Sequence, residues 1–89
     1  MKTKKGYVLR PLGTEYILVA EGLEAADANR LISMNESAAF LWKAVEDKDF
    51  DAGTLADLLL EAYDITREVA EHDITALIQN WREACIIEE

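Results

Sequence analysis

The first third of the chain has the residue pattern of short β-strands. Runs rich in β-branched and aromatic residues cover positions 6–13, 14–22 and 29–34, and Gly13 with Thr14 supplies a tight connection between the first two. Pro11 lacks the N–H that a sheet ladder uses, so the first strand should lie at an edge or end there. The pattern predicts a three-stranded antiparallel sheet, with a loop over residues 21–28.

The remaining two-thirds have helical spacing. Apolar residues recur every three to four positions in three segments, at 36–47, 55–63 and 67–84. Asn35, Thr54 and Thr66 precede these segments and are predicted N-caps, because their side chains accept a free backbone N–H. The final CIIEE is expected to be an extended tail with an isoleucine packed on the core. The order indicates an α+β fold, a winged helix-turn-helix-like arrangement with the three-stranded antiparallel sheet followed by three helices.

Size and charge favour one small acidic domain over residues 1–89. The 89 residues carry a net charge of −9, with 18 acidic and 9 basic side chains. Four of the basic residues fall within positions 1–10, which hold no acid, and residues 1–5 are expected to be a flexible tail. The acidic body repels phosphate backbones and anionic membranes, so neither nucleic acid nor a membrane is an expected partner.

Cysteine usage and hydropathy predict a cytoplasmic protein. Cys85 is the only cysteine and cannot form an internal disulfide, and its apolar neighbours predict a buried, unreactive thiol. No apolar run reaches the ~18 residues of a membrane span, and no signal-peptide pattern is present. In that compartment the N-x-S sequence at Asn35 has no meaning for glycosylation.

The sequence offers no recognisable catalytic, metal or cofactor motif. His72 is the only histidine, and no metal-ligand spacing, nucleophile elbow or phosphate-binding glycine loop occurs. We therefore expect no metal site and no cofactor, and the residues alone indicate no catalytic site.

Two binding modes remain open from the residues alone. The second and third helical segments resemble a helix-turn-helix, which suggests a winged-helix DNA-binding or transcription-related domain. The presumed recognition helix, however, carries more acidic than basic residues and suits phosphate poorly. Alternatively, the exposed edge of the third strand could accept an extended peptide, or pair with a second copy in a homodimer.

Residues 34–42, MNESAAFLW, carry a family resemblance. The segment resembles the L-N-[DE]-[ST]-A-x-x-[IL]-W pattern of the PqqD family, with Met34 in the leucine position. A second match lies further on, at Tyr63, Asp64, Asp73, Ile74, Leu77 and Ile86. The resemblance spans about residues 7–88. One departure is Ala84-Cys85, where relatives commonly carry glycine.

The resemblance implies a non-catalytic RiPP recognition element, the domain type that takes part in pyrroloquinoline quinone synthesis and related pathways. Such domains bind the leader of a ribosomally made precursor peptide as a strand added beside the third strand, against the third helix. They present it to a modifying enzyme, often a radical SAM protein. The implied site comprises Arg30, Leu31, Ile32 and Ser33 on the strand and Asp73, Ala76, Leu77, Asn80 and Trp81 on the helix. Asp73 is expected inside an apolar stripe, where its carboxylate would need a partner.

Overall fold

The computed structural model describes residues 1–20 and 31–88, and over these residues it has the predicted α+β fold. The strands are β1 (Lys2–Thr3), β2 (Tyr7–Leu12), β3 (Glu15–Ala20), β4 (Leu31–Met34) and β5 (Ile87–Glu88). The helices are α1 (Glu36–Val45), α2 (Ala52–Ala62) and α3 (Arg67–Glu83). The loop predicted over 21–28 and the predicted start of the third strand at 29 lie outside the described residues.

The main sheet is antiparallel with the strand order β2-β3-β4, as the sequence predicts. Gly13 and Thr14 form the two-residue connection between β2 and β3, and Gly13 has φ 65°. A positive φ at the first turn residue alone matches a type II′ turn, which explains the glycine. Pro11 lies in β2, which is an edge strand of this sheet. The outer side of an edge strand has no partner strand, so a proline is tolerated there without loss of a hydrogen bond between strands.

The core lies between one face of the sheet and the three helices. Its largest fully buried side chains come from every layer, and they are Leu18, Leu41, Trp42, Leu55, Ile74 and Ile86. Trp42 of α1 and Trp81 of α3 meet edge to face, with 5.4 Å between ring centroids. Phe50, which precedes α2, contacts Trp81 in the same geometry at 6.4 Å. These aromatic contacts fix α3 against α1 and bury Trp81 to 3% exposure.

The helix N-termini confirm two of the three predicted caps. The Asn35 side chain accepts from Ala38 N at 2.9 Å, and Thr66 caps α3. Thr54, however, is not a cap. Asp51 caps α2 instead, accepting from Thr54 N at 2.8 Å, so the helix begins three residues earlier than predicted. That backbone hydrogen bond, with the Thr54 hydroxyl bond, lowers the pKa of Asp51 from 3.8.

The amino terminus is a paired strand, which differs from the flexible tail expected over residues 1–5. β1 pairs antiparallel with β5, so that Thr3 lies opposite Ile87. Thr3 is buried and its hydroxyl accepts from Asp47 N at 3.3 Å, while the Met1 amino group donates to the Phe50 carbonyl at 2.7 Å. The predicted packing of the terminal isoleucines on the core is confirmed, because Ile86 and Ile87 are both buried.

Helix α3 ends in a Schellman motif that places Cys85 at the surface. Ile86 N donates to the Trp81 carbonyl and Cys85 N donates to the Arg82 carbonyl. Cys85 has φ 60°, the left-handed conformation in which glycine is usual at this position. Its thiol is exposed, so the prediction of a buried cysteine is wrong. The motif turns the chain back so that Ile86, rather than Cys85, enters the core.

Candidate functional site

The direction of each backbone group in the sheet follows from the β2–β3 turn. The two-residue connection leaves Leu12 and Glu15 as a directly opposed pair. In a two-residue β-hairpin, the residues that flank the turn form a hydrogen-bonded pair. Successive residues of an antiparallel strand direct their N–H and C=O groups to opposite sides. The odd-numbered residues of β3 therefore bond to β2, and the even-numbered ones bond to β4.

The same alternation identifies which backbone groups of β4 are free. Tyr16 lies opposite Met34 in the β3–β4 register, so even-numbered residues of β4 bond to β3. Leu31 and Ser33 consequently direct their N–H and C=O groups away from the sheet. β4 is the last strand in the order β2-β3-β4, and no described residue pairs with its outer side. The chain thus presents a four-residue strand with an open edge.

A cleft of about 180 Å³ runs along this open edge, between β4 and α3; we call it the edge cleft. Its lining residues are Ile32, Ser33, Met34, Asn35, Ala38, Leu77, Asn80, Trp81 and Ala84. Ala38 of α1 and Ala84 after α3 are small, and they leave the space that larger side chains would fill. Ile32 and Leu77 are half-buried, so each offers apolar surface to the cleft while also packing on the core.

A second cavity of about 460 Å³ lies beyond the end of β4; we call it the end pocket. Its lining residues are Asn35, Ser37, Ala38, Leu41, Leu59, Tyr63, Ile65, Asp73, Ile74, Ala76, Leu77 and Asn80. Four residues line both cavities, namely Asn35, Ala38, Leu77 and Asn80. The edge cleft and the end pocket therefore adjoin, and together they follow the face of α3 that carries its residues 73, 76, 77 and 80.

The polar groups of the end pocket differ in how far the protein satisfies them. Asn35 Oδ1 is occupied by Ala38 N and by the Ser37 hydroxyl, which donates to it at 3.1 Å. The side chains of Asp73 and Asn80 are exposed and make no hydrogen bond with any described residue. Among the described residues, no lysine or arginine lines either cavity. Asp73 is thus the one charged residue, among those that the structure describes, that lines either cavity.

The structure brings most of the expected site residues together. Ile32, Ser33, Leu77, Asn80 and Trp81 meet at the edge cleft, and Asp73, Ala76, Leu77 and Asn80 meet at the end pocket. For Leu31 only the backbone is described, and Arg30 lies outside the described residues. Trp81 lines the edge cleft but belongs mainly to the core. The environment of Asp73 differs from expectation, because Asp73 is exposed at the rim and its carboxylate needs no buried partner.

Several lining residues were not expected. The most informative are Asn35, predicted only as an N-cap, and Ala38 in the helical segment that follows it. The others are Leu59 in α2 and Tyr63 and Ile65 at the turn from α2 to α3. Asn35 and Ala38 come directly after β4, so their position in the sequence could have indicated that they border the strand edge. The residues from α2 and the turn after it reach the pocket only through the packing of α2 against α3, which no local sequence pattern specifies.

The described residues form neither a metal-binding cluster nor a membrane-spanning helix. Within residues 1–20 and 31–88, no three His, Cys, Asp or Glu side chains are grouped so as to hold a metal ion. In the same part of the chain, no helix has both the length and the apolar character needed to cross a membrane.

Comparison with known proteins identifies the fold and the family. The structure titled "TbiB1 in Complex with the TbiA(beta) Leader Peptide" is similar to this chain with a TM-score of 0.75 and 15% sequence identity, covering 99% of this chain and 95% of that one. The structure "Lasso peptide synthetase B1 complexed with the leader peptide" gives a TM-score of 0.71 at 18% identity, covering 99% and 96%. No curated protein sequence matches significantly. The family model described as Coenzyme PQQ synthesis protein D (PqqD) matches residues 7–87. The chain therefore belongs to the PqqD family.

Proposed function

We propose that this protein captures the leader of a ribosomally made precursor peptide as an added strand along β4 and presents it to a modifying enzyme. The observation that carries the proposal is the open edge at Leu31 and Ser33, which lies directly beside the apolar edge cleft. Backbone groups of an extended peptide would bond to the edge, and its side chains would alternate into the cleft.

The expected binding energies indicate that the open edge of β4 and the edge cleft are both needed for binding. Leu31 and Ser33 offer four backbone groups, and at about 0.5–1.5 kcal/mol each they would contribute roughly 2–6 kcal/mol. A micromolar complex requires about 8 kcal/mol beyond the entropic cost of association. Side chains buried against Ile32 and Leu77 in the edge cleft must supply the remainder, at about 25 cal/mol per Å² of apolar surface.

Family membership and the structural neighbours support the same function. Both neighbours named above are, by their titles, complexes with leader peptides. We infer that this chain is a non-catalytic RiPP recognition element that acts in the cytoplasm, where an exposed single thiol such as that of Cys85 stays reduced. Its partner is then a radical SAM enzyme or another peptide-modifying enzyme, in quinone synthesis or in another peptide pathway.

A winged-helix DNA-binding role is the less favoured alternative. As a recognition helix α3 would present mostly acidic side chains, and the exposed ones are Glu68, Glu71, Asp73 and Glu83. Such a surface repels the phosphate backbone, which supplies most of the affinity in non-specific DNA binding. Homodimerisation through β4 is a different use of the same edge, and sedimentation of the isolated chain distinguishes it.

Titration of the ¹⁵N-labelled chain with precursor peptides encoded beside its gene tests the proposal. We expect the amides of Leu31 and Ser33 and those along residues 73–84 to shift with one of these peptides, and not with a scrambled sequence of the same composition. If no such peptide shifts these amides, the chain does not bind a leader at this edge. A protein that sediments as a dimer and loses this state when peptide is added would indicate that both use β4.

A further inference from the structure

The end pocket extends the peptide site past the last residue of β4. A strand paired with β4 runs along the edge cleft and, beyond Met34, passes over Asn35 and Ala38, which line both cavities. The next residues of the peptide then lie at the mouth of the end pocket. Its volume of about 460 Å³ falls within the range of pockets that hold whole ligand groups, so one large side chain fits there.

The walls and the rim of the end pocket have different chemistry. Leu59, Ile65, Ile74 and Leu77 make the walls apolar, whereas Asp73 at the rim supplies an exposed carboxylate without a protein partner among the described residues. The pocket thus combines an apolar interior with one negative charge at its mouth.

The surroundings of the pocket strengthen this negative character. Glu36 and Asp64 are exposed and adjoin the lining residues Ser37 and Tyr63 in sequence. The nearby Arg67 is already engaged, since its guanidinium donates to Asp57 at 3.1 Å. The local field therefore favours a cation at the mouth of the pocket.

We propose that the end pocket receives an arginine of the leader peptide, with its aliphatic stem on the pocket walls and its guanidinium on the Asp73 carboxylate. The proposal rests on the proposed function and names the residue class that sets its specificity. An arginine side chain buries apolar methylene groups while keeping its charged end at the surface, which matches walls and rim together. Its planar fork also pairs with a carboxylate through two parallel hydrogen bonds, which a lysine cannot do.

Tyr63 adds a second element that prefers arginine to an aliphatic side chain. Its ring lines the pocket and is 36% exposed, and Phe40 packs against it edge to face with 6.3 Å between centroids. This contact restrains an aromatic face beside the pocket mouth. A guanidinium stacks on such a face with additional electrostatic attraction.

A selection with random peptides tests the proposal without knowledge of the natural leader. Phage-displayed 12-residue peptides are selected on the wild-type chain, on Asp73→Asn and on Glu71→Gln, a matched control on α3 that loses the same charge but lines neither cavity. We expect arginine to be enriched at one position among wild-type and Glu71→Gln binders. The enrichment should fall sharply on Asp73→Asn, which keeps only the Tyr63 ring as a preference for arginine.

Synthetic peptides from the wild-type selection then measure the coupling. Replacing the enriched arginine by methionine, which keeps an unbranched stem, should weaken binding to the wild type about tenfold. The loss on Asp73→Asn should be clearly smaller, because only the contact with Tyr63 then favours arginine. An equal loss on both proteins would overturn the assignment to Asp73. Loss of enrichment on Glu71→Gln as well would assign the preference to net charge and not to the pocket.

Amide shifts keep this inference separate from the proposed function. Selected peptides that shift Leu31 and Ser33 but show no arginine preference would refute the end-pocket assignment and leave strand addition intact. If no selected peptide shifts the β4 amides, strand addition and the end-pocket assignment fail together.

Discussion

Proline at position 33 provides the sharpest test of strand addition. The register places the Ser33 N–H on the outer side of β4, so Ser33→Pro removes a donor that an added strand would use and leaves the β3–β4 ladder complete. Proline is tolerated in an edge strand when its missing N–H faces away from the sheet, and Ile32 before it is already extended. Fold stability should therefore change little.

The expected loss of affinity follows from the single backbone group removed. One hydrogen bond is lost, and a peptide carbonyl enclosed beside the ring stays unpaired, for a combined cost of about 2–4 kcal/mol. This cost corresponds to a roughly 30- to 1,000-fold increase in Kd. Ser33→Ala is the matched control, because it removes the hydroxyl and keeps the N–H, and its Kd should stay within about threefold of wild type.

Isothermal titration with the bound leader, together with thermal unfolding of each variant, checks this prediction. Ile32→Pro serves as the opposite control, because the Ile32 N–H faces β3 and its removal should destabilise the sheet. A folded Ser33→Pro variant that binds the leader as well as Ser33→Ala does would refute pairing at this edge. A Ser33→Pro variant as unstable as Ile32→Pro would refute the assignment of the backbone directions.

The remaining predictions concern the two chain ends and the cap of α2. Deleting residues 2–5 should lower the free energy of unfolding by about 1–3 kcal/mol in denaturant titration, because β1 and the buried Thr3 hydrogen bond are lost; a change within experimental error would restore the interpretation of this segment as a tail. Cys85→Gly should raise the free energy of unfolding by up to about 1 kcal/mol, since glycine relieves the left-handed conformation, whereas Cys85→Ala, which keeps the Cβ, should not. Because the pKa of Asp51 is lowered from 3.8, the stability advantage of wild type over Asp51→Asn should be complete above pH 3.8 and decline as the pH falls below it. If the stability advantage of wild type persists unchanged to pH 2, the hydrogen bonds from Thr54 to the Asp51 carboxylate are not its cause.

Features that depend on residues close together in the sequence were predictable. The start of α2 was not predicted correctly, because two nearby residues could both serve as its cap. Asn35 and Thr66 cap as expected, because a side-chain acceptor three residues ahead of an N–H is a local arrangement. Around the start of α2 the sequence offers two residues of the capping type, Asp51 and Thr54. The carboxylate prevails, and Thr54 instead accepts from the cap residue's own N–H, which completes a reciprocal pair.

The pairing of β1 with β5 had no local signal. Lys2 and Glu88 lie at opposite ends of the chain, and two-residue strands are too short to show an alternating pattern. Position 85 was misjudged for a related reason. Apolar neighbours suggested burial, but the Schellman geometry that begins at Trp81 turns Cys85 outward and Ile86 inward. A glycine at position 85 would have indicated the left-handed residue that ends the helix, whereas a cysteine does not.

The candidate site combines what the sequence indicates with what only packing determines. The open edge of β4 and the face of α3 were both expected, whereas the space between them depends on small side chains from elsewhere. Asn35 stops β4 and starts α1, and the hydrogen bond from Ala38 N to its side chain sets Ala38 one turn further along, at the junction of the two cavities. A larger residue than alanine at position 38 would fill that junction and separate the edge cleft from the end pocket. The segment MNESAAFLW therefore contributes no reactive group to the site. It ends β4, begins α1 and, through the small side chain of Ala38, leaves open the space that joins the edge cleft to the end pocket.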